Sequence, residues 1–287
     1  MKLVPLLRST RAHWLLLLSS LLLTACGGGN SGSVQVTTLS AGSLNYSRAV
    51  VVTVNGSGLE ATDLQMTVDG ACGDVVRAPS PTDSQTQFGC QLLGVGDYMA
   101  HVRKANGDEI ARLKFSVPNP QVVMSVTQGA RTGTMTIEID PTAAPVTALN
   151  FMRYVGAGFY NMTLIHRVVP GTLAQGGGYT TGPVNKDPLY PPIVLENTGL
   201  LNLRGTIAMA RSNLPDSATA QYYLNIKDNP AFDRVDDTMP GYAVFGHIIT
   251  GLDVLDEIGK VDTRFLNAAL QNYPQPEVVV NSVTQIR

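Results

Sequence analysis

The chain has 287 residues, more than one small hydrophobic core needs, and this length favours two domains over one. Charged residues make up 15% and the formal net charge is −2, with lysines and arginines scattered rather than gathered into runs. Such a balance gives no basic face for a phosphate backbone and argues against nucleic acid as a partner.

Residues 1–25 read as an export leader. Lys2, Arg8 and Arg11 precede an apolar run from Trp14 to Leu23, too short to cross a bilayer comfortably; a retained membrane helix is the alternative. Leu23-Thr24-Ala25-Cys26 resembles the lipobox of bacterial lipoproteins, which implies that Cys26 is lipidated and becomes the mature N-terminus. Residues 26–33, glycine-rich from Gly27 to Gly32, suit a flexible tether. A phosphate-binding loop is not the reading, because no strand precedes these glycines and no Lys-Ser or Lys-Thr follows. Loss of the leader removes three basic residues and no acid, so membrane attachment would come from the acyl chains on Cys26 and not from charge. By the same resemblance, Gly27 after the lipidated cysteine implies a lipid-anchored, periplasm-facing protein of the outer membrane.

From residue 34 to 118 the pattern is that of short strands: Ala49–Val54, Leu64–Val68, Gln87–Leu92, Tyr98–Arg103 and Ile110–Val117. Turn signals separate them, among them Asn55-Gly56, Asp69-Gly70 and Asn106-Gly107-Asp108. This spacing predicts a small immunoglobulin-like β-sandwich, serving as a spacer or binding a protein partner. Tyr98 and Phe115, each in an alternating run, are assigned to its core in preference to a ligand site. With Cys26 given to lipid, Cys72 and Cys90 remain as an even pair in an oxidising compartment and are predicted to form a disulfide. Two free buried thiols are the alternative; a metal site is disfavoured because no histidine lies at ligand spacing, and no metal or cofactor is called for elsewhere.

Pro118 and Pro120 mark the boundary, since neither can extend a central strand. Residues 122–287 form the second domain. Val122–Thr127 and Gly133–Ile139 read as a strand pair. Pro145 fits the first turn of a helix whose apolar stripe is Val146, Leu149, Met152 and Val155, widened by Phe151 and ended by Gly156.

The stretch Leu164–Gly178 then sets an alternating run, Leu164 to Val169, against a Pro170-Gly171 turn, a short run from Leu173 to Gln175, and three glycines. Arg167 and Gln175 stand out within it. An arginine in a strand commonly sits on the outer face or in a surface ion pair. The wider pattern points elsewhere: Phe159-Tyr160, the run Arg204 to Ala210 (RGTIAMA), Ser217 to Tyr223 (SATAQYY) and Gly241 to Gly246 (GYAVFG). In this order and spacing they resemble the cyclophilins, peptidyl-prolyl cis/trans isomerases, and the bacterial members in particular.

That resemblance implies an eight-stranded antiparallel barrel with two capping helices, the second at Leu252–Ile258 and the last strand at Val278–Ile286. It implies catalysis by Arg167 with Gln175 helping to hold a substrate carbonyl, no cofactor, and proline-containing polypeptides as substrates. Thr172, Leu173, Ala210, Arg211, Gln221, Tyr223, Phe232 and Tyr242 fall at substrate-binding positions, Arg211 being otherwise a solvated loop charge. The chain departs from the family pattern at several of these. Thr172-Leu173 replaces Phe-Met, Tyr223 a phenylalanine, Ile165 the phenylalanine before His-Arg, and Phe232-Asp233 stands where an aromatic residue and leucine are usual. Loss of a large ring at Thr172 removes apolar contact worth about 1–3 kcal/mol, so weak turnover is one expectation and a peptide-binding holdase or envelope scaffold the alternative. His166 and His247 lie too far apart for a local metal motif and are read as packed or surface histidines. The proline-rich segment 182–192 reads as a surface loop that would either shield or serve the groove.

Overall fold

The computed structural model describes residues 33–70, 72–79 and 81–287; the leader and Cys26 lie outside the described residues. The first seven strands are β1 (Gln35–Ala41), β2 (Ala49–Ser57), β3 (Leu64–Asp69), β4 (Val76–Arg77), β5 (Gln85–Gln91), β6 (Gly96–Lys104) and β7 (Glu109–Val117). They form a four-stranded sheet, β1-β2-β5-β4, and a three-stranded sheet, β3-β6-β7. Alternation selects the inward faces: Val50, Val52, Val54 and Phe88 from one sheet and Met66, Ala100, Val102 and Leu113 from the other are buried. Tyr98 and Phe115 pack together with ring centroids 5.8 Å apart. Cys72 is disulfide-bonded to Cys90, their Cα atoms 5.9 Å apart.

After Pro118-Asn119-Pro120 the chain enters β8 (Gln121–Gln128), β9 (Arg131–Ile139), α1 (Pro145–Gly156), β10 (Thr163–Val169), β11 (Leu173–Thr180), β12 (Val184–Asn185), β13 (Thr206–Met209), β14 (Tyr222–Asn225), β15 (Val244–Thr250), α2 (Leu252–Ile258), β16 (Asp262–Arg264), β17 (Tyr273–Gln275) and β18 (Val278–Gln285). Eight of these run in the order β10-β18-β8-β9-β15-β13-β14-β11, and pairing of β10 with β11 closes the ring. The two-residue β12 hangs on β11, and β16 pairs only with β17. This is the antiparallel barrel with two helices that the motifs imply. The first seven strands are not a free appendage: Arg48 Nε donates to Gln285 Oε1 at 2.9 Å and Gln285 Nε2 to the Tyr46 carbonyl at 3.0 Å.

Helix α1 starts at Pro145 as read, but its apolar stripe needs one correction. Val146 is exposed, and the buried face is built from Ala148, Phe151, Met152 and Val155 with Thr147, Asn150 and Tyr154. Val146 stands in the first turn, whose free amide is bound by a distant carboxylate: Glu196 accepts from Val146 N at 2.9 Å and Thr147 N at 2.7 Å. Segment 182–192 packs against α1 through Tyr190. Tyr190 stacks edge-on to Tyr154 of α1 at 4.9 Å, with the Arg153 guanidinium 4.0 Å above its ring.

The three glycines after Gln175 lie inside β11. Gly177 has φ +83°, and a Cβ there would stand 2.8 Å from the Ala220 carbonyl oxygen. A Cβ on Gly176 would meet Tyr222 Oη at 2.9 Å. The glycines therefore let the chain entering β14 lie against β11.

Candidate active site

Arg167 is brought out of the barrel by a defect in β10. Ile165 and Val168 both belong to the barrel core although they are three residues apart, which strict alternation forbids. The register against β11 slips between Ile165 and Arg167, where Ile165 faces Gly176 and Arg167 faces Gln175. The extra residue is His166, and the slip turns Arg167 and Val169 to the outside of the wall. Without it, the alternation that buries Ile165 would carry the guanidinium into the barrel.

Outside the wall a second apolar cluster, separate from the barrel core, is made by Leu173 of β11, Ala208 of β13, Tyr223 of β14 and Val244 of β15, with Val169, Ala210, Phe232 and Tyr242 against it. It lies under a cavity of about 260 Å³ lined by Arg167, Val169, Thr172, Leu173, Gln175, Ala210, Arg211, Tyr223, Phe232 and Tyr242. Of the positions singled out in the sequence, Gln221 alone does not line it. Gln221 instead accepts from Gln175 Nε2 at 2.9 Å, while Gln175 Oε1 accepts from Arg167 Nη1 at 3.2 Å. The relay fixes which end of the Gln175 amide faces the guanidinium. Among the described residues no carboxylate stands within ion-pair distance of Arg167. A partly buried guanidinium with five N–H donors thus faces the cavity with its charge uncompensated.

The opposite wall is aromatic. Tyr223, Phe232 and Tyr242 meet edge to face, with centroids 5.8 Å apart for Tyr223–Phe232 and 5.6 Å for each of the other two pairs. Thr172 removes one ring from the rim, but this three-ring wall remains. Arg211 is not a solvated charge: Nε and Nη2 donate to the Gly241 carbonyl at 3.1 and 2.9 Å, Nη1 donates to the Ser212 carbonyl at 3.0 Å, and the guanidinium lies 4.6 Å from the Tyr242 ring centroid. Its fork is spent on holding the aromatic wall, leaving Arg167 as the cation free for a ligand.

Behind the wall lies a polar shell that sequence reasoning missed. Tyr223 Oη donates to Asn202 Oδ1 at 2.7 Å, and burial pushes this hydroxyl far above the ordinary tyrosine range, so it stays a neutral donor. Asn202 is itself fixed by Asp233, whose Oδ1 accepts from its backbone N at 2.6 Å and its Nδ2 at 2.9 Å. Asn225 and Asn229 extend the shell, and Asn229 Nδ2 donates to the Thr172 carbonyl at 3.0 Å. Two departures from the family pattern, Tyr223 and Asp233, therefore both bind one buried asparagine. The composition of Phe232-Asp233 was the available signal, but nothing near Asn202 in sequence marks it.

His166 is buried against Tyr179, ring centroids 4.7 Å apart. Burial lowers its pKa to about 4, so it is neutral at ordinary pH. His247 is exposed. No group of histidine, cysteine and carboxylate residues suited to a metal occurs among the described residues.

A family model described as cyclophilin type peptidyl-prolyl cis-trans isomerase/CLD matches residues 122–285. Peptidyl-prolyl cis-trans isomerase A of Dickeya dadantii is 42% identical over 156 residues, 54% of this chain and 80% of that protein. The peptidyl-prolyl cis-trans isomerase of Acinetobacter baylyi is 44% identical over 151 residues, 53% of this chain and 79% of its own length. Peptidyl-prolyl cis-trans isomerase B of Escherichia coli is 40% identical over 154 residues, 53% of this chain and 93% of the relative. The barrel closed by β10 and β11, the motifs on its strands and these matches lead to one assignment: the chain belongs to the cyclophilin-type peptidyl-prolyl cis-trans isomerases.

Proposed function

We propose that Arg167 is the catalytic residue of this isomerase and that the cavity beside it holds the X-Pro bond. Rotation about an amide costs about 18–20 kcal/mol because the partial double bond must be lost. In the twisted state the imide nitrogen becomes pyramidal and regains a lone pair, so it accepts a hydrogen bond that neither planar isomer can accept. A fixed guanidinium donor there binds the transition state in preference to both ground states. No nucleophile and no proton transfer are needed. Leu173, Tyr223 and Phe232 supply apolar surface for the proline ring, and Gln175 stands where it can bind the preceding carbonyl. The observation that carries this reading is the guanidinium at the cavity edge, bonded to Gln175 and, among the described residues, paired with no acid. One such donor in a water-poor site supplies about 3–4 kcal/mol, or 10²–10³ in rate. Arg167→Ala should lower kcat/KM on a proline test peptide by that factor with the thermal midpoint nearly unchanged; equal turnover in the two proteins would end the assignment.

The substrates in this reading are exported proteins whose X-Pro bonds otherwise isomerise in tens of seconds, and the site of action is the bacterial envelope, with the protein anchored through Cys26. The leader pattern, the lipobox and the Cys72–Cys90 bond support it. Residues 34–118 are an immunoglobulin-like module in the same reading; a sheet of first, second, fifth and fourth strands facing one of third, sixth and seventh is the constant-type arrangement. Cys26→Ser should move the protein from the membrane to the soluble fraction, and unchanged partitioning would remove the anchor.

A further inference from the structure

The catalytic cavity is one of three that lie in series along the outside of the barrel. Tyr242, at its edge, is also a wall of a second cavity of about 210 Å³ enclosed by residues 196–201 with Arg234, Val235 and Pro240. Leu200 and Leu201 in turn form part of a third, of about 300 Å³, which extends past Leu203 and Val244 to His247. Tyr242 and His247 are five residues apart, with the stretch from Val244 onward in β15, a span of at most about 16 Å at about 3.3 Å per residue, so a peptide laid alongside would cover the series with about five residues.

The lining holds aliphatic side chains out in water. Leu200 is 37% exposed, Leu201 53%, Leu203 48% and Val235 67%. The charged groups of the second cavity are already engaged: Glu196 binds the first turn of α1, also accepting from Thr147 Oγ1 at 2.6 Å, and Arg234 is paired with Asp237 and donates to the Asp236 carbonyl at 3.0 Å. In the third cavity Glu138 accepts from Gln121 Nε2 and Arg287 Nη2, and Asp140 from the backbone N of Thr142 and Ala143, so recognition in both is through apolar contact rather than charge.

We propose that these two cavities form an accessory groove for an unfolded polypeptide, taking aliphatic side chains a few residues away from the proline held at Arg167. The inference rests on the cavity beside Arg167 being the catalytic site. Continuity selects this occupant: any chain with its proline in the first cavity must leave it on both sides, and the exit past Tyr242 opens onto Leu200 and Leu201. A second folded copy seated on the same leucines would instead cover that exit.

The test uses the full chain and fluorescent twelve-residue peptides with one central Ala-Pro. Leucines replace serines at the third and fifth residues on the N-terminal side in one peptide and on the C-terminal side in another. Anisotropy should show about tenfold tighter binding for leucines on one side only, equivalent to about 1.4 kcal/mol, and Leu201→Asp should abolish that gain while turnover of a short proline peptide stays the same. No gain from leucine on either side, or a gain that survives Leu201→Asp, overturns the groove. Failure of the catalytic assignment would appear separately, as turnover retained in Arg167→Ala, and would leave the leucine-dependent affinity untouched.

Discussion

Replacing Asp233 by leucine, the residue usual in the family, tests whether the polar shell behind the aromatic wall holds the cavity beside Arg167 in shape. The carboxylate accepts from both the backbone N and the Nδ2 of Asn202, which is 1% exposed. Leucine offers no acceptor, so two buried donors lose their partner at about 1–3 kcal/mol each. The loss is about 2–6 kcal/mol in total, and at about 2–4 °C per kcal/mol for a domain of this size the thermal midpoint should fall by roughly 4–24 °C. Asn202 also anchors the Tyr223 hydroxyl, so the ring should slacken against Phe232 and Tyr242. Arg167 and Gln175 stand on other strands, and KM should therefore rise with kcat little altered. Asp233→Asn keeps an oxygen acceptor and should cost less than half as much. Calorimetry and steady-state kinetics on the three proteins decide the matter. A midpoint within about 2 °C of wild type, together with an unchanged KM for Asp233→Leu, would refute the reasoning.

Two histidines should give the protein opposite pH responses. His166 titrates at about 4 when folded against 6.5 for an ordinary histidine, so the unfolded chain binds the extra proton between those values and stability should drop as pH falls from 6.5 towards 4, by about 3 kcal/mol at most. Urea unfolding of wild type and His166→Gln at pH 4.5 and 7.5 should show that limb only in wild type. His101, hydrogen-bonded to Asp69 and Glu109, has its pKa raised by those bonds, so its stabilising effect is full below 6.5 and fades as pH rises through the elevated value; His101→Gln should flatten the alkaline side. Reducing Cys72–Cys90, which are 18 residues apart, should destabilise the first seven strands by about 3 kcal/mol, and an Ellman assay under denaturing, non-reducing conditions should find neither of these two thiols free.

Much of the fold was legible because turns and alternation mark strands directly: Ala49, Leu64 and Pro145 each start the element they were expected to start. Strands β1 and β4 escaped notice, β1 for its run of polar Thr37, Thr38 and Ser40 and β4 for its two-residue length. At the cavity, motif order brought out nine lining positions from Arg167 to Tyr242, and the central one lies on the outer strand face usual for an arginine, though alternation does not show how it gets there. Whether Arg167 points in or out depends on the slip at His166, and no residue type announces a bulge. Asn202 lay beyond sequence reasoning for a different reason. Its role arises from Tyr223 and Asp233, 21 and 31 residues away, which only the closed barrel brings together.

The position of β18 has a consequence for biosynthesis. It lies between β8 and β10, so a strand that leaves the ribosome well after both of its neighbours is the one that joins them. Until it arrives, the nascent sheet has two unsatisfied edges, the state in which strands recruit foreign chains. Truncation before Val278 would therefore yield an open, adhesive sheet instead of a smaller barrel. A prolyl isomerase thus passes through a vulnerable stage of its own.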